Sequence, residues 1–286
     1  FKVILLDEAS MVNSMLFFQL IKMVDDDAVF IIVGDDGQLP PIGAGNVLSD
    51  MIALELAPMV KLTKLYRQNE KQAIALVANT IRQGQVPELY EEYEDFHFTE
   101  VSVENYYQLK NTLSQSELQK LREENAQQVM ASMMHLAVAE IPNSRTLLKE
   151  KDVLGYLKAF QVITPMKGGT LGSENLNTVL QQYFNPSSKN SVKAGKYEYR
   201  LMDKVVHVKN ENMPCFTPEG FKNGEDGFER RVFNGMVGLV FKIDTDEESL
   251  FVFYPNEEVV VQYDFDQLKS YLSLSYALTI HRCRVW

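Results

Sequence analysis

Two short apolar runs near the amino terminus, each breaking off into acid, constrain this chain more than any other feature. Residues 2–6 read Lys-Val-Ile-Leu-Leu and run into Asp7-Glu8-Ala9-Ser10. Residues 29–33 read Val-Phe-Ile-Ile-Val and run into Gly34-Asp35-Asp36-Gly37-Gln38-Leu39-Pro40-Pro41. A β-branched run that stops abruptly at carboxylates is how a fully buried parallel strand reads when it delivers side chains to its carboxyl edge. In open α/β sheets ligands bind outside that edge. The pair therefore aims Asp7, Glu8, Asp35 and Gln38 at one crevice.

The chemistry such a crevice supports is specific. An Asp at a strand end can hold Mg²⁺, directly or through water, because the ion prefers hard oxygen ligands and keeps several waters. The neighbouring Glu can orient or deprotonate a water for attack on a phosphoryl group, and a Gln from the next strand can touch that water and the terminal phosphate. Taken alone, Asp7 and Glu8 would serve equally well to cap the helix that follows. The Gly-Asp-x-x-Gln-Leu-Pro-Pro run at this remove favours the phosphoryl reading. Ser10 is expected as the N-cap of that helix, which ends at Asp25-Asp26-Asp27.

Asp7-Glu8-Ala9-Ser10 and residues 34–46 resemble motifs II and III of superfamily 1 helicases, in the RecD-like branch that includes RecD and the TraA and TraI helicase domains. The resemblance implies an α/β fold: partial tandem RecA-like (P-loop NTPase) domains with a small inserted SH3-like antiparallel β-barrel. It implies a DNA-translocating ATPase that uses ATP and Mg²⁺, with Asp7 on the metal through water, Glu8 on the attacking water and Gln38 coupling nucleotide state to DNA. Residues 63–68, Thr-Lys-Leu-Tyr-Arg-Gln, resemble motif IV. That makes Arg67 the arginine reaching the terminal phosphate from the second RecA-like domain, where an always-charged planar fork suits two phosphate oxygens.

Two further stretches resemble DNA-contacting parts of the family. Residues 164–177 match its Pro-Met-x-x-Gly…Leu-Asn stretch, making Thr164 and Lys167 candidates for the DNA backbone; a strand-end threonine and a surface lysine are the plain alternatives. Residues 272–281 resemble motif V, whose Thr and His, here Thr279 and His281, touch the backbone. After Cys283 the family's Gln-Gly-Ser-Glu is replaced by Arg284-Val285-Trp286, and motif VI with its second catalytic Arg does not follow.

The remaining pattern is expected to run as follows. Residues 59–62 read as a third short strand, 72–82 as a helix with Ala73, Ile74, Leu76, Val77 and Ile81 inward, and 96–99 as an edge strand. Helices follow over 104–113 and 116–141, without visible chemistry. Ser173 is expected to cap a helix beginning there. The loop Lys167-Gly168-Gly169-Thr170-Leu171-Gly172 does not fit G-x-x-x-x-G-K-[ST] and is not a P-loop. Residues 187–195 read as a loop. Short strands over 205–208, 235–241, 249–254 and 258–263, with turns at Asp203-Lys204 and Asn234-Gly235, indicate a small antiparallel barrel resembling the family's SH3-like insert. Phe233, Tyr254 and Lys209 there could meet bases or phosphates, or the aromatics could be its core. The expected division is 1–58 for the back of the first motor domain, 59–195 for the first part of the second, 196–265 for the barrel and 266–286 for the return strand.

No apolar run approaches the roughly 20 residues that cross a bilayer. The two cysteines, Cys215 and Cys283, suggest a reducing compartment, and the expectation is a cytoplasmic protein. A net charge of −11 gives no bulk support to nucleic-acid binding, although a motor grips its strand along a local groove. Single-stranded DNA is the expected partner, with recombination or repair subunits and no membrane. Phe1 begins inside a strand and the end follows a nascent helix, so the chain reads as a fragment of a longer helicase, moving 5′ to 3′ as the family does. Without the Walker A Lys and its Ser/Thr, this polypeptide is expected neither to bind ATP tightly nor to hydrolyse it. The rival readings are the helicase half of a conjugative relaxase, a PhoH-like RNA-linked ATPase, and a non-catalytic single-stranded DNA-binding remnant.

Overall fold

The computed structural model describes residues 2–62, 73–88, 93–140, 152–186 and 190–283. The chain divides into two compact units, Phe1–Glu100 and Val101–Trp286.

In the first unit, β1 (Val3–Leu6) pairs in parallel with β2 (Val29–Ile32), Val3 opposite Val29 and Leu6 opposite Ile32. The crossover between them carries α1 (Ser14–Ile21); α2 (Val47–Ala53) and α3 (Ala73–Arg82) follow. Leu6, Val12, Phe17, Ile32 and Leu48 close round an interior with no room for a water molecule. The strands are not fully buried, as their composition suggests. Val3 and Leu5 are 59% and 60% exposed, with Val29 and Ile31 bare beside them, because no described residue covers that face.

Ser10 is not the N-cap either. Residues Ala9–Met11 make one 3-10 turn, and α1 is capped by Asn13, whose side chain accepts from the Leu16 amide at 2.9 Å. Helix α3 buries Ala73 and Val77 as expected, with Ala75 beside them, but leaves Ile74, Leu76 and Ile81 exposed. Residues 59–62 and 96–99 are irregular. Neither finds a ladder partner among the described residues, and an unpaired extended segment has nowhere to send its backbone hydrogen bonds.

The second unit begins with α4 (Tyr106–Leu109), α5 (Gln115–Glu140) and α6 (Val153–Lys158). Met130, Met133 and Met134 of α5 fill its core, and His135 is exposed. Then come β3 (Val162–Thr164), α7 (Ser173–Phe184), β4 (Ser191–Ala194) and β5 (Tyr197–Arg200). Gly172, not Ser173, is the N-cap of α7. The β4–β5 hairpin, with its turn at Gly195 (φ +61°), occupies part of what reads as a loop.

Next is a seven-stranded antiparallel sheet made of β6 (Lys204–His207), β7 (Glu211–Phe216), β8 (Phe228–Val232), β9 (Val237–Asp244), β10 (Ser249–Tyr254), β11 (Val259–Asp264) and β12 (Leu272–Leu274). Its order is β12-β6-β9-β10-β11-β7-β8, with α8 (Pro218–Asn223) and α9 (Leu268–Tyr271) in its connections. Among the described residues no ladder joins β8 to β12, so the hydrogen-bonded sheet is open. Tyr254 is core rather than a platform for bases: it is fully buried, its hydroxyl 2.8 Å from that of Tyr263. Phe233 is exposed, and Lys209 is paired to Glu211 at 3.1 Å.

The run 272–281 divides at Ser275. Strand β12 belongs to the seven-stranded sheet, whereas β13 (Ala277–Thr279), followed by α10 (Ile280–Cys283), pairs in parallel with β3.

Polar residues are buried at the seam, where the sequence suggests only a turn. Asp203 is fully buried and accepts hydrogen bonds from Gln181 (2.5 Å), Asn185 (2.8 Å), the Arg200 amide (2.7 Å) and the Tyr276 hydroxyl (2.9 Å). Burial nevertheless pushes its carboxyl up to about 6. The Nζ of Lys204 donates to the carbonyls of Leu157 and Phe160. His207 is buried against Tyr263, Nδ1 to hydroxyl 2.9 Å, and burial depresses it to about 4.

A Cβ on Gly238 would lie 2.5 Å from the Phe253 carbonyl oxygen and 2.6 Å from Val252 Cγ1. Gly238→Ala is therefore expected to cost about 1–3 kcal/mol, read as a lower urea midpoint for the second unit.

Candidate functional site

The carboxyl edge of β1 and β2 is assembled by short-range geometry. Glu8 takes a left-handed backbone (φ 52°, ψ 40°), and its amide is held by Asp7 Oδ1 at 2.8 Å. This sharp exit leaves both carboxylates exposed beyond the strand. Ala9 then donates to the Val33 carbonyl at 2.9 Å, tying the 3-10 turn to the end of β2. A Cβ on Gly34 would meet Leu48 Cδ2 at 2.7 Å and the Ala9 and Ser10 amides at 3.2 Å, so only glycine lets the second loop pass this close. Across that contact the buried Ser10 hydroxyl donates to Gln38 Oε1 at 3.3 Å. Asp7, Glu8 and Gln38 thus stand on two loops stitched together at one sheet edge.

Arg82, which sequence reasoning passed over, joins them. From the last turn of α3 its guanidinium reaches Asp35 at 3.1 Å and Asp36 at 2.6 Å. It lies flat against Gly37, where a Cβ would be 2.0 Å from Nε. The only forewarning in the sequence is the acid pair bracketed by Gly34 and Gly37. Arg67 lies outside the described residues.

The residues present suit a hydrated divalent ion. No cluster of three or more His, Cys, Asp or Glu side chains that could hold a metal is found among the described residues. One exposed carboxylate with a free oxygen is what Mg²⁺ uses when nucleotide phosphates and waters supply the rest of its shell.

In the second unit, β3 and β13 run parallel with Thr164 opposite Thr279 at their carboxyl ends. Thr164 is buried and its hydroxyl is spent locally, donating to the Leu171 carbonyl at 2.6 Å; it shapes the loop that carries Lys167. Lys167 and Thr279 both line an open groove of about 370 Å³, with Lys196, Lys269 and Glu174. His281 is exposed on α10. Asn177 registers this edge: its side chain donates to the Ala277 carbonyl (2.8 Å) and accepts from the Ala277 amide (2.9 Å), pinning α7 to β13. The Leu-Asn pair in the sequence was its signal.

Comparison with known proteins completes the description. Residues 2–102 match a family model described as an AAA domain. Residues 176–254 match the SH3 domain of ATP-dependent RecD-like DNA helicases. The α/β motor segment and its SH3 insert define a chain of the P-loop NTPase class. More narrowly, it is similar to RecD-like helicases, through the SH3 domain match and the relatives that follow. It is 29% identical over 284 residues to the ATP-dependent RecD2 DNA helicase of Deinococcus radiodurans, covering 99% of this chain and 31% of that protein. It is 23% identical to the uncharacterized protein MJ1519 of Methanocaldococcus jannaschii, covering 98% of this chain and 25% of that one. Among solved structures it is similar to Pif1 helicase from Bacteroides in complex with ADP-AlF3 and single-stranded DNA, at 15% identity and a TM-score of 0.47, over 98% of this chain and 61% of that one. The chain therefore spans about a third or less of the curated relatives it matches. No described helix is long and apolar enough to cross a membrane.

Proposed function

We propose that the protein this chain belongs to is an ATP-dependent DNA helicase that moves 5′ to 3′ on single-stranded DNA, serving DNA repair or recombination in the cytoplasm. The observation that supports it is the stitched edge of β1 and β2, with Asp7, Glu8 and Gln38 on loops joined by the Ser10–Gln38 bond. In this reading Asp7 would hold Mg²⁺ through water, and the ion would supply charge neutralisation at the terminal phosphates of ATP. Glu8 takes the proton of the attacking water. Gln38 senses the terminal phosphate, a contact it shares with Arg67, the arginine that the motif IV resemblance assigns to that phosphate. Lys167, Thr279 and His281 contact the DNA backbone, while Thr164 holds the loop that carries Lys167 in place.

The relaxase and non-catalytic readings differ from this one in what lies outside the chain and in nucleotide dependence. The chain carries no G-x-x-x-x-G-K-[ST] sequence, so the pure polypeptide is expected to show no DNA-stimulated ATP turnover, and robust turnover would refute that. In a form that includes a phosphate-binding loop, Glu8→Gln is expected to lower ATP turnover by about 10²–10⁴-fold while DNA binding persists. Turnover unchanged by that substitution would remove Glu8 from the chemistry.

A further inference from the structure

The groove that holds Lys167 and Thr279 contains more cationic charge than the helicase resemblance assigned to it, and a carboxylate set against that charge. Lys196 stands at the tip of the β4–β5 hairpin, and Lys269 packs beside the same turn: a Cβ on Gly195 would sit 3.3 Å from Lys269 Cβ. With Lys167 they bring three ammonium groups to one groove in a chain of net charge −11. The counter-charge is Glu174, in the first turn of α7. Its Oε1 takes the Lys196 ammonium directly and lies 3.7 Å from that of Lys167. These ion pairs sit at a partly open surface, the side chains of Lys167 and Lys196 being 72% and 49% exposed, where such pairs are weak and exchangeable.

The walls show what the groove would recognise. Its aromatic residues, Tyr197 and Tyr199, are 7% and 0% exposed and offer no face on which a base could stack. Its accessible groups are ammoniums and hydroxyls, which read phosphate and not sequence.

We propose that Lys196 and Lys269 extend the phosphate-contacting track of a single nucleic-acid strand from the β3–β13 edge onto the β4–β5 hairpin, and that Glu174 is a built-in competitor which the strand's phosphates displace from Lys167 and Lys196. This rests on the strand-binding reading above. Glu174 weakens binding by holding two lysines, and each lysine that reaches a phosphate releases counterions from the strand, so the grip depends on ionic strength.

The test is fluorescence anisotropy of the 286-residue chain with labelled oligothymidylate over a salt series, the fold of each variant checked by circular dichroism. Lys196→Ala and Lys269→Ala are each expected to weaken binding and to lower the log–log salt slope by about 0.7. Glu174→Gln is expected to move the other way, tightening binding on the order of 3- to 5-fold at low salt. A structural role for the Lys196–Glu174 pair alone would shift both partners' variants in the same direction. If the chain binds the strand and loses affinity on Lys167→Ala but ignores the Lys196, Lys269 and Glu174 substitutions, the strand-binding reading stands and this proposal falls. Equal or weaker binding by a folded Glu174→Gln also overturns it, as does full displacement of the strand by free inorganic phosphate at matched ionic strength. If no oligonucleotide binds, both fall.

Discussion

Lys204→Ala is expected to remove about 3–5 kcal/mol from the stability of the Val101–Trp286 unit. Lys204 is 1% exposed, and its ammonium donates to the carbonyls of Leu157, in the last turn of α6, at 2.7 Å and of Phe160, just past its end, at 2.8 Å. The same ammonium lies 5.3 Å from the centre of the Phe160 ring. The Leu157 carbonyl is a helix-end acceptor with no partner inside the helix, and a cation there also meets the negative end of the helix dipole. Truncation to alanine leaves both acceptors buried without this donor and opens a cavity where the four-carbon stem was. Lys204→Met separates the two effects: it keeps the stem and removes the donor, and is expected to cost about half as much. Urea titration followed by circular dichroism reads both. A loss below about 1 kcal/mol for the alanine variant would mean that water reaches those carbonyls readily.

The second large effect is a pair of opposed proton linkages. Asp203 sits at about 6 in the folded chain, above its ordinary value of 3.8. Its raised carboxyl contributes stability that is fully present below pH 3.8 and lost as pH rises through 6. His207 sits at about 4, below its ordinary value of 6.5, so its contribution is present above pH 6.5 and lost as pH falls through 4. Each is worth about 3 kcal/mol across its window, and the windows overlap with opposite sign. Removing either group should expose the other. His207→Gln is expected to gain stability relative to the unaltered chain as pH falls from 6.5 to 4, whereas Asp203→Asn should lose relative stability over the same fall. Unfolding free energies at four or five pH values would check this; parallel curves for all three proteins would show that neither group is shifted.

How much of this was legible beforehand depended on whether the cause was local. The acid-terminated strands are written in consecutive residues, so the edge bearing Asp7, Glu8 and Gln38 could be read directly. Ser10 misled because it is a good capping residue in a place where Glu8 turns left-handed, which delays the helix until Asn13 can cap it. The inward face of α3 was misjudged because periodicity identifies an apolar stripe without saying whether the rest of the chain covers it. Arg82, Asp203 and Lys204 were out of reach for another reason. Each acts through a partner distant in sequence, as Lys204 does with Leu157, and no spacing rule connects such pairs. Strand β4 and the turn at Gly195 were read as part of a loop because their composition is polar.

The two units are unequally built, and this sets where the protein gives way. The buried apolar residues of the first are mostly small, Ala9, Val12, Ala73, Ala75 and Val77 among them, while the second closes over tyrosines and leucines that are wholly withdrawn from water. The bare side of β1 and β2 adds to the imbalance, since Val3, Leu5, Val29 and Ile31 are as ready to stick to a neighbouring molecule as to any cover of their own. Warming or mild denaturant is therefore expected to loosen the loops that carry Asp7, Glu8 and Gln38 before it opens the core of the second unit.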